Sequence, residues 1–349
     1  MECTDPMTPH APRVSLVTGG AGFIGSHFVE LLFDRRPDAR IIVLDALTYA
    51  ANPGNIPPRI RESDRFKFVQ GNICNTLLVG SLMAEVDEVI HFAAESHVTR
   101  SIVDDTPFFE TDVMGTQSIA AAISRNKIKK FVHISTSEVY GTAAYAPMDE
   151  LHPLNPCTPY AAAKAGADRL VYAYRETYGI PTVIIRPFNN YGPRQHLEKV
   201  VPRFITSALL DEPLTIHGDG LMSRDWIFVE DTCEAILKTL ESDRAVGEVL
   251  NLGTGIDTSV LDIAEKILGA AGSSSTIVHI DRRPGQVDRH IATARKAETL
   301  LGWHPRVTLA EGLARTVRWY RDNRAWWLPQ RSGAAVSVTD AGRGLAGAF

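Results

Sequence analysis

A chain of 349 residues with 44% hydrophobic and 22% charged side chains is long enough, and apolar enough, to bury a sizeable core as one large α/β domain with an appended lobe or as two domains. Its net charge of −5 argues against non-specific binding to nucleic acid. No apolar run approaches a bilayer span, and Met1 to Arg13 has Pro and polar residues where a signal peptide needs an apolar core, so the cytoplasm is the expected location.

Residues 1–12 are expected to be disordered. The first strand is Val14-Ser15-Leu16-Val17-Thr18, and it runs straight into Gly19-Gly20-Ala21-Gly22-Phe23-Ile24-Gly25 and a helix from about Ser26 to Phe33. Gly20, Gly22 and Gly25 fit G-x-G-x-x-G, in which glycines permit a tight turn and let backbone approach a pyrophosphate at a helix N-terminus. A second strand, Ile41 to Leu44, ends in Asp45, twenty residues after Gly25, where a carboxylate accepts from ribose hydroxyls and repels a 2′-phosphate. NAD is therefore the expected cofactor.

Further strands follow at Phe66 to Val69, Glu88 to Phe92, Phe131 to Ile134 and Thr182 to Ile185, with helices at Pro107 to Arg125 and Tyr160 to Tyr178. Alternation of this kind predicts a Rossmann-type doubly wound parallel sheet over residues 13–187. Beyond Arg186-Pro187-Phe188 the elements become short and mixed: helices near Val201 to Leu210, Asp231 to Glu241, Val260 to Leu268 and Leu309 to Asp322, and strands at Leu214 to Ile216 and Glu248 to Leu250. Residues 188–328 are expected to form a smaller α/β lobe over the carboxyl-end cleft, with some segments returning to the first domain. A tail over 329–349, rich from Arg331 in Gly, Ala and Ser, is expected to be disordered.

The chemistry concentrates between Phe131 and Lys164. The strand Phe131-Val132-His133-Ile134 ends in Ser135-Thr136-Ser137-Glu138 at its carboxyl end, which is where ligands bind in an open α/β sheet. After a Pro-rich loop, Pro159-Tyr160-Ala161-Ala162-Ala163-Lys164 opens a helix and puts Tyr160 and Lys164 on one face. An ammonium beside a phenol favours the phenolate, which makes a general base. His91 is expected to be packed in its strand. The four cysteines, Cys3, Cys74, Cys157 and Cys233, show neither zinc-ligand pairs nor the density of a disulfide scaffold, so no metal is expected, and Cys157 is read as an inert thiol near Tyr160.

Together these motifs resemble the nucleotide-sugar branch of the extended short-chain dehydrogenases/reductases, and within it the dTDP-glucose 4,6-dehydratases. The resemblance covers about residues 13 to 325. It rests on Thr18 to Gly25, Leu47-Thr48-Tyr49-Ala50, Ala93-Ala94-Glu95-Ser96-His97-Val98, Glu138-Val139-Tyr140-Gly141, Tyr160 to Lys164, Asn189-Asn190-Tyr191-Gly192-Pro193 with Glu198-Lys199, and Arg224-Asp225-Trp226. It implies an NAD-dependent lyase that oxidises C4 of a nucleotide-diphosphate sugar, removes the C5 proton and the C6 hydroxyl as water, and returns hydride to C6, as in deoxysugar biosynthesis. Tyr160, Lys164 and Thr136 would serve the oxidation and Glu138 would take the C5 proton.

On the cofactor side the resemblance implies Gly19, Gly22, Phe23, Ile24, Gly25, Asp45, Asn72, Ile73, Ala93, Ala94, Tyr160 and Lys164, with the Asn72 amide oxygen accepting from adenine in place of the family's Asp. On the substrate side it implies Ser96, His97, Asn189, Glu198, Lys199, Arg224, Asn251 and Arg289. A homodimer is implied through Pro107 to Arg125 and Tyr160 to Tyr178.

One departure stands out: Ser137 occupies the place of the acidic residue that protonates the departing hydroxyl in the dTDP-glucose enzymes. Thr-Ser-Glu also occurs in GDP-mannose 4,6-dehydratases, and Ser-Glu in UDP-glucuronate decarboxylases, where Arg186 or Arg194 would be needed for the substrate carboxylate. A 4-epimerase and a decarboxylase therefore remain alternatives, as does a catalytically silent NAD-sensing scaffold, although that usually breaks the Tyr/Lys pair. The sugar, the nucleobase and the proton donor are left open.

Overall fold

The structure, a computed structural model, describes residues 13–331 except Arg283; the expectation for residues 1–12 lies outside it. Seven parallel strands form the main sheet: β1 (Val14–Thr18), β2 (Arg40–Asp45), β3 (Phe66–Gln70), β4 (Glu88–His91), β5 (Lys130–Ile134), β6 (Thr182–Pro187) and Val249–Leu252. Their spatial order is Val249–Leu252, β6, β5, β4, β1, β2, β3. The chain runs outward from β1 to β3, then returns to place β4 beside β1, with Thr18 opposite both Leu44 and His91. That reversal is the switch point of a doubly wound sheet, where a crevice opens outside the carboxyl ends of the strands.

Helices cover both faces, which is why most of the strands read as continuous apolar runs rather than alternating ones. On one face Phe28, Val29 and Leu32 of the helix Phe23–Arg35 pack against Val17, Ile41 and Val43. Truncating one such side chain, Leu32→Ala for instance, would cost about 2–5 kcal/mol. On the other face Val79, Leu82, Ile119, Ile123 and Val171 pack against Leu16, Ile42, Val89 and Phe131.

The second half contributes a separate core around Phe204, Trp226, Ile263, Val317, Tyr320 and Trp327. Two small sheets accompany it, one of Asn189–Tyr191, Ser223–Phe228 and Asp257–Ser259, the other of Leu214–His217 and Ile277–Ile280. Val229–Glu241 places Cys233, Ile236 and Leu240 in the core shared with Phe28 and Leu32, and Val249–Leu252 extends the main sheet beside β6.

Two expectations are corrected. Pro107 to Arg125 is not one regular helix, because a π-helical stretch, Phe109–Gly115, lies between Thr106–Phe108 and Thr116–Ile123. Such wide turns are frequent at functional sites. The tail is ordered further than expected: Leu328–Gln330 is a short helix and Arg331 pairs with Glu212 at 3.0 Å, while the rest of the tail lies outside the described residues. No helix among the described residues is long and apolar enough to cross a membrane.

Candidate active site

A cleft of about 1280 Å³ lies at the carboxyl ends of the strands, between the sheet and the second lobe. One end is lined by Gly19, Gly22, Phe23, Ile24, Gly25, Asp45, Asn72, Ile73, Ala93 and Ala94, and Tyr160 and Lys164, the other two residues expected to meet the cofactor, line the same cleft. Gly19 has φ +69, and a Cβ there would lie 2.6 Å from the Ala93 nitrogen; a Cβ on Gly25 would lie 2.2 Å from the Gly19 carbonyl. Gly20 instead packs on Val43 and lies outside the cleft lining, so the turn at the cleft is carried by Gly19. No side chain caps the N-terminus of the helix Phe23–Arg35. Its first N–H groups are thus left for an anion, and the cradle fits the pyrophosphate of a dinucleotide.

The two polar residues expected to read that dinucleotide are partly engaged by their own backbone. Asp45 accepts from Ala21 N and Leu47 N, both at 2.9 Å, so it braces the glycine turn while its remaining lone pairs face the cleft. Burial raises its carboxyl above the ordinary range. The Asn72 amide oxygen accepts from Cys74 N at 2.8 Å. That bond fixes the amide and leaves the oxygen a second lone pair for adenine.

The chemical centre is built by the helix Pro159–Tyr178. Thr158 caps it through Ala161 N at 3.2 Å, Pro159 occupies the first turn, and Gly179 ends it in the left-handed conformation. Tyr160 and Lys164 consequently project from one face into the cleft, both buried. Lys164 Nζ donates to the Ile134 carbonyl at 2.9 Å, and the Thr136 hydroxyl hydrogen-bonds Tyr160. Thr136 also caps the short helix Ser137–Tyr140 through Glu138 N at 3.2 Å, which sets Ser137 and Glu138 on the same wall.

The expectation that the ammonium lowers the Tyr160 phenol is not met by the side chains alone. Burial, with the nearby Asp112 and Glu138 charges, raises that phenol well above the ordinary value, and the Thr136 hydrogen bond only partly opposes it. The Lys164 ammonium is itself lowered by burial against the pull of Asp112 and Asp168.

A buried polar network that the sequence reading missed holds these parts together. Asp168, one turn beyond Lys164, accepts from Ser135 Oγ (2.8 Å) and from Arg186 Nε and Nη2 (2.9 Å each). Arg186 also donates to Tyr140 Oη, which donates to Asn251 Oδ1 at 2.7 Å. The available signal was spacing, since Asp168 shares a helix face with Tyr160 and Lys164. Arg186 is spent in this network and Arg194 binds Glu30 (2.7 Å) and the Asn55 carbonyl (2.9 Å). Neither lines the cleft, which removes the two cations considered for a substrate carboxylate.

Of the expected substrate residues, Ser96, His97, Asn189, Glu198, Lys199 and Arg224 line the cleft. Asn189 Oδ1 is buried without a hydrogen-bond partner, whereas Arg224 donates to the carbonyls of Ser223 and Val287 (2.9 and 2.7 Å) and Lys199 to that of Ser96. Glu198 is surrounded by Arg100 (3.4 Å), His97, His196 and Lys199, and accepts from Tyr49 Oη. Two residues fall elsewhere. Asn251 is fully buried, donating to Met148 O and accepting from Tyr140, and Arg289 is half exposed on an ion pair with Asp257 (2.6 Å). His91 is packed as expected, between Thr18 and Thr116 hydroxyls.

A dinucleotide cradle at the switch point joined to a Tyr-x-x-x-Lys pair defines a short-chain dehydrogenase/reductase, and a second lobe closing the cleft is the build of its extended, nucleotide-sugar branch. The comparisons narrow the class: residues 16–316 match the family described as GDP-mannose 4,6 dehydratase, and the chain belongs to that family. It is 45% identical over 335 residues to a dTDP-glucose 4,6-dehydratase of Streptomyces niveus, covering 94% of this chain and 99% of that one. The fold is shared with the Streptomyces venezuelae dTDP-glucose 4,6-dehydratase solved with NAD and TYD bound (TM-score 0.88, 42% identity, 91% and 100% coverage). A Bacillus cereus UDP-glucuronic acid 4-epimerase, solved with UDP-glucuronic acid and NAD, is also similar (TM-score 0.84, 34% identity, 88% and 99% coverage). The chain is an NAD-dependent nucleotide-sugar 4,6-dehydratase.

Proposed function

We propose that the substrate is a dTDP-hexose with a free C6 hydroxyl and that the product is its 4-keto-6-deoxy derivative. The observation that carries this reading is Glu138 in the same cleft wall as Thr136 and Tyr160. An epimerase needs only the phenol and the lysine; a carboxylate beside them supplies the base that removal of the C5 proton requires. Bound NAD supplies the acceptor and later the donor of one hydride.

The side chains do the rest. Tyr160, oriented by Thr136, takes the C4 hydroxyl proton, and Lys164, fixed to the end of β5, holds the cofactor side of the cleft. The new C4 ketone makes the C5 proton acidic, Glu138 removes it, and Glu138 returns a proton to C5 after the C6 hydroxyl has left. Asn189, Lys199 and Arg224 are the polar groups assigned to the nucleotide diphosphate, and the similarity to dTDP-glucose 4,6-dehydratases supports thymine as the base. Arg289 and Asn251 take no part in this assignment.

A homodimer through the segments 106–123 and 159–178 belongs to the same proposal, supported by the exposed Phe109, Met114, Tyr172 and Tyr178; a cytoplasmic location is proposed with it. Incubation with dTDP-, UDP- and GDP-hexoses and with UDP-glucuronate, read by product mass, tests the reading. Loss of water from the dTDP-hexose is expected. Loss of carbon dioxide, or unchanged mass with altered configuration, would replace it.

A further inference from the structure

Expelling the C6 hydroxyl requires a proton, and the hydroxyl of Ser137 is too weak an acid to give one unaided. Behind Ser137, 153 residues later in the chain, stands a histidine that the sequence reading assigned no role. His290 is fully buried, its Nδ1 lies 3.4 Å from Ser137 Oγ, and its Nε2 lies 2.7 Å from the Gly141 carbonyl. A carbonyl only accepts, so Nε2 carries a hydrogen in every state of the ring. In the neutral ring Nδ1 then accepts from Ser137, and in the imidazolium Nδ1 donates to it. The charge on His290 thereby decides whether the Ser137 proton points at the ring or is free for the cleft that Ser137 lines.

We propose that Ser137 and His290 form a proton relay to the departing C6 hydroxyl, with Ser137 the group that meets the substrate and His290 a positioning residue that stores the proton. The inference rests on the dehydratase reading. In the step, the C5–H bond breaks and its electron pair forms the C5–C6 double bond as Glu138 takes the proton. The C6–O bond breaks with its pair on oxygen, that oxygen receives the Ser137 proton, and Oγ receives the proton of Nδ1. His290 ends neutral and regains a proton from solvent, matching the one Tyr160 releases after the oxidation, so the cycle consumes no acid.

The surroundings of His290 suit a group that is charged only when substrate is present. Burial lowers it below the ordinary histidine value, Glu138 opposes that, and Arg224 and His152 reinforce it, while Phe188 presents its ring edge-on at 6.0 Å. A diphosphate anion in the cleft adds negative charge and favours the imidazolium. The alkaline limb of kcat therefore lies at higher pH than that of kcat/KM.

The test uses His290→Gln, whose amide still donates to Gly141. Water loss should fall about 10²-fold or more, reduced cofactor should accumulate in a single turnover because C4 oxidation survives, and the alkaline limb of kcat should disappear. Adding Ser137→Asp to that variant should restore water loss, because a carboxyl at this place carries its own proton. Should His290→Gln fail to fold, Ser137→Ala with His290 intact should give the same loss. Unchanged dehydration in either single variant, or no recovery in a folded double variant, overturns the relay. Nitrogen NMR of the His290 ring decides independently of turnover: a hydrogen on Nε2 and a titration that moves to higher pH with dTDP support it, and a ring that ignores dTDP sinks it. If the wild type removes no water from any sugar nucleotide while the ring still responds, the dehydratase reading fails and the Ser137–His290 coupling stands.

Discussion

The Lys164 ammonium donates to the Ile134 carbonyl over 2.9 Å, which ties the helix carrying Tyr160 to the end of the strand that leads into Thr136, Ser137 and Glu138. The phenol beside it is held protonated by burial and by the Asp112 and Glu138 charges. A cation bound in the cleft would favour its ionisation, so the base is expected to form only in the loaded site. Tyr160→Phe should then bind NAD with unchanged affinity, measured by protein fluorescence, and lose hydride transfer by at least ~10²-fold. Retained turnover in that variant removes Tyr160 from the mechanism.

Glu138 is capped through its backbone by Thr136 and lines the cleft next to Ser137. As the base for C5 it is needed after oxidation and before water leaves. Glu138→Gln should therefore accumulate reduced cofactor on mixing with substrate and should fail to exchange the C5 proton with deuterated solvent. C5 exchange at the wild-type rate would assign the base elsewhere.

Asp112, in the π-helical stretch, accepts from Glu95 N at 2.8 Å with one carboxyl oxygen, while the other is buried without a partner. Burial raises its pKa from 3.8 to about 7, against the pull of Lys164 and the Glu95 backbone hydrogen bond. The sign follows from linkage. The folded chain holds this proton more tightly than the unfolded one, so stability is full below the ordinary carboxyl range and is lost as pH rises to about 7. Asp112→Asn removes that titration and should gain roughly 1–4 kcal/mol over the wild type between acid and neutral pH. Denaturant melts at pH 4.5 and 8 check it; a difference that does not grow with pH contradicts the assignment.

How far the sequence reached follows from the distance over which each feature is determined. Strands β1 to β6 were legible to within a few residues, most of them because an apolar run buried on both faces is a local signal and the edge strand β3 because its Phe66 and Phe68 alternate with polar residues, and the Gly19 to Gly25 turn because its glycines answer to local backbone geometry. The strand Ser223–Phe228 was not, since its interior Arg224 and Asp225 look like a loop until their partners, the carbonyls of Ser223 and Val287 and the backbone of Thr254 and Gly255, are seen. The positions of Arg289 and Asn251 outside the cleft lining were hidden for the same reason: Asp257 draws Arg289 outward and Tyr140 holds Asn251 in the interior. Ser137 announced a missing acid, but its neighbour His290 arrives from 153 residues further along the chain and leaves no trace in local spacing.

The Asp168–Arg186 pair gives the last expectation. Both side chains are essentially fully buried, joined through two hydrogen bonds of 2.9 Å each, and Asp168 is held well below the usual carboxylate range because Arg186, with Arg169 beside it, outweighs the cost of burial. A buried pair is strong evidence that breaking it is costly, and weak evidence that it adds net stability. Arg186→Leu should therefore destabilise the fold by up to about 3–5 kcal/mol, by leaving the buried Asp168 charge only its partly exposed partner Arg169. Arg186→Leu combined with Asp168→Asn should recover part of that loss. The network also fixes Ser135 and Tyr140, the two ends of the loop bearing Glu138, to the helix of Tyr160. The double variant should accordingly regain stability without regaining kcat, which a denaturation curve and a turnover assay on the same preparation would show. Recovery of both together would mean that the network supports the fold alone and leaves the geometry of Glu138 to other contacts.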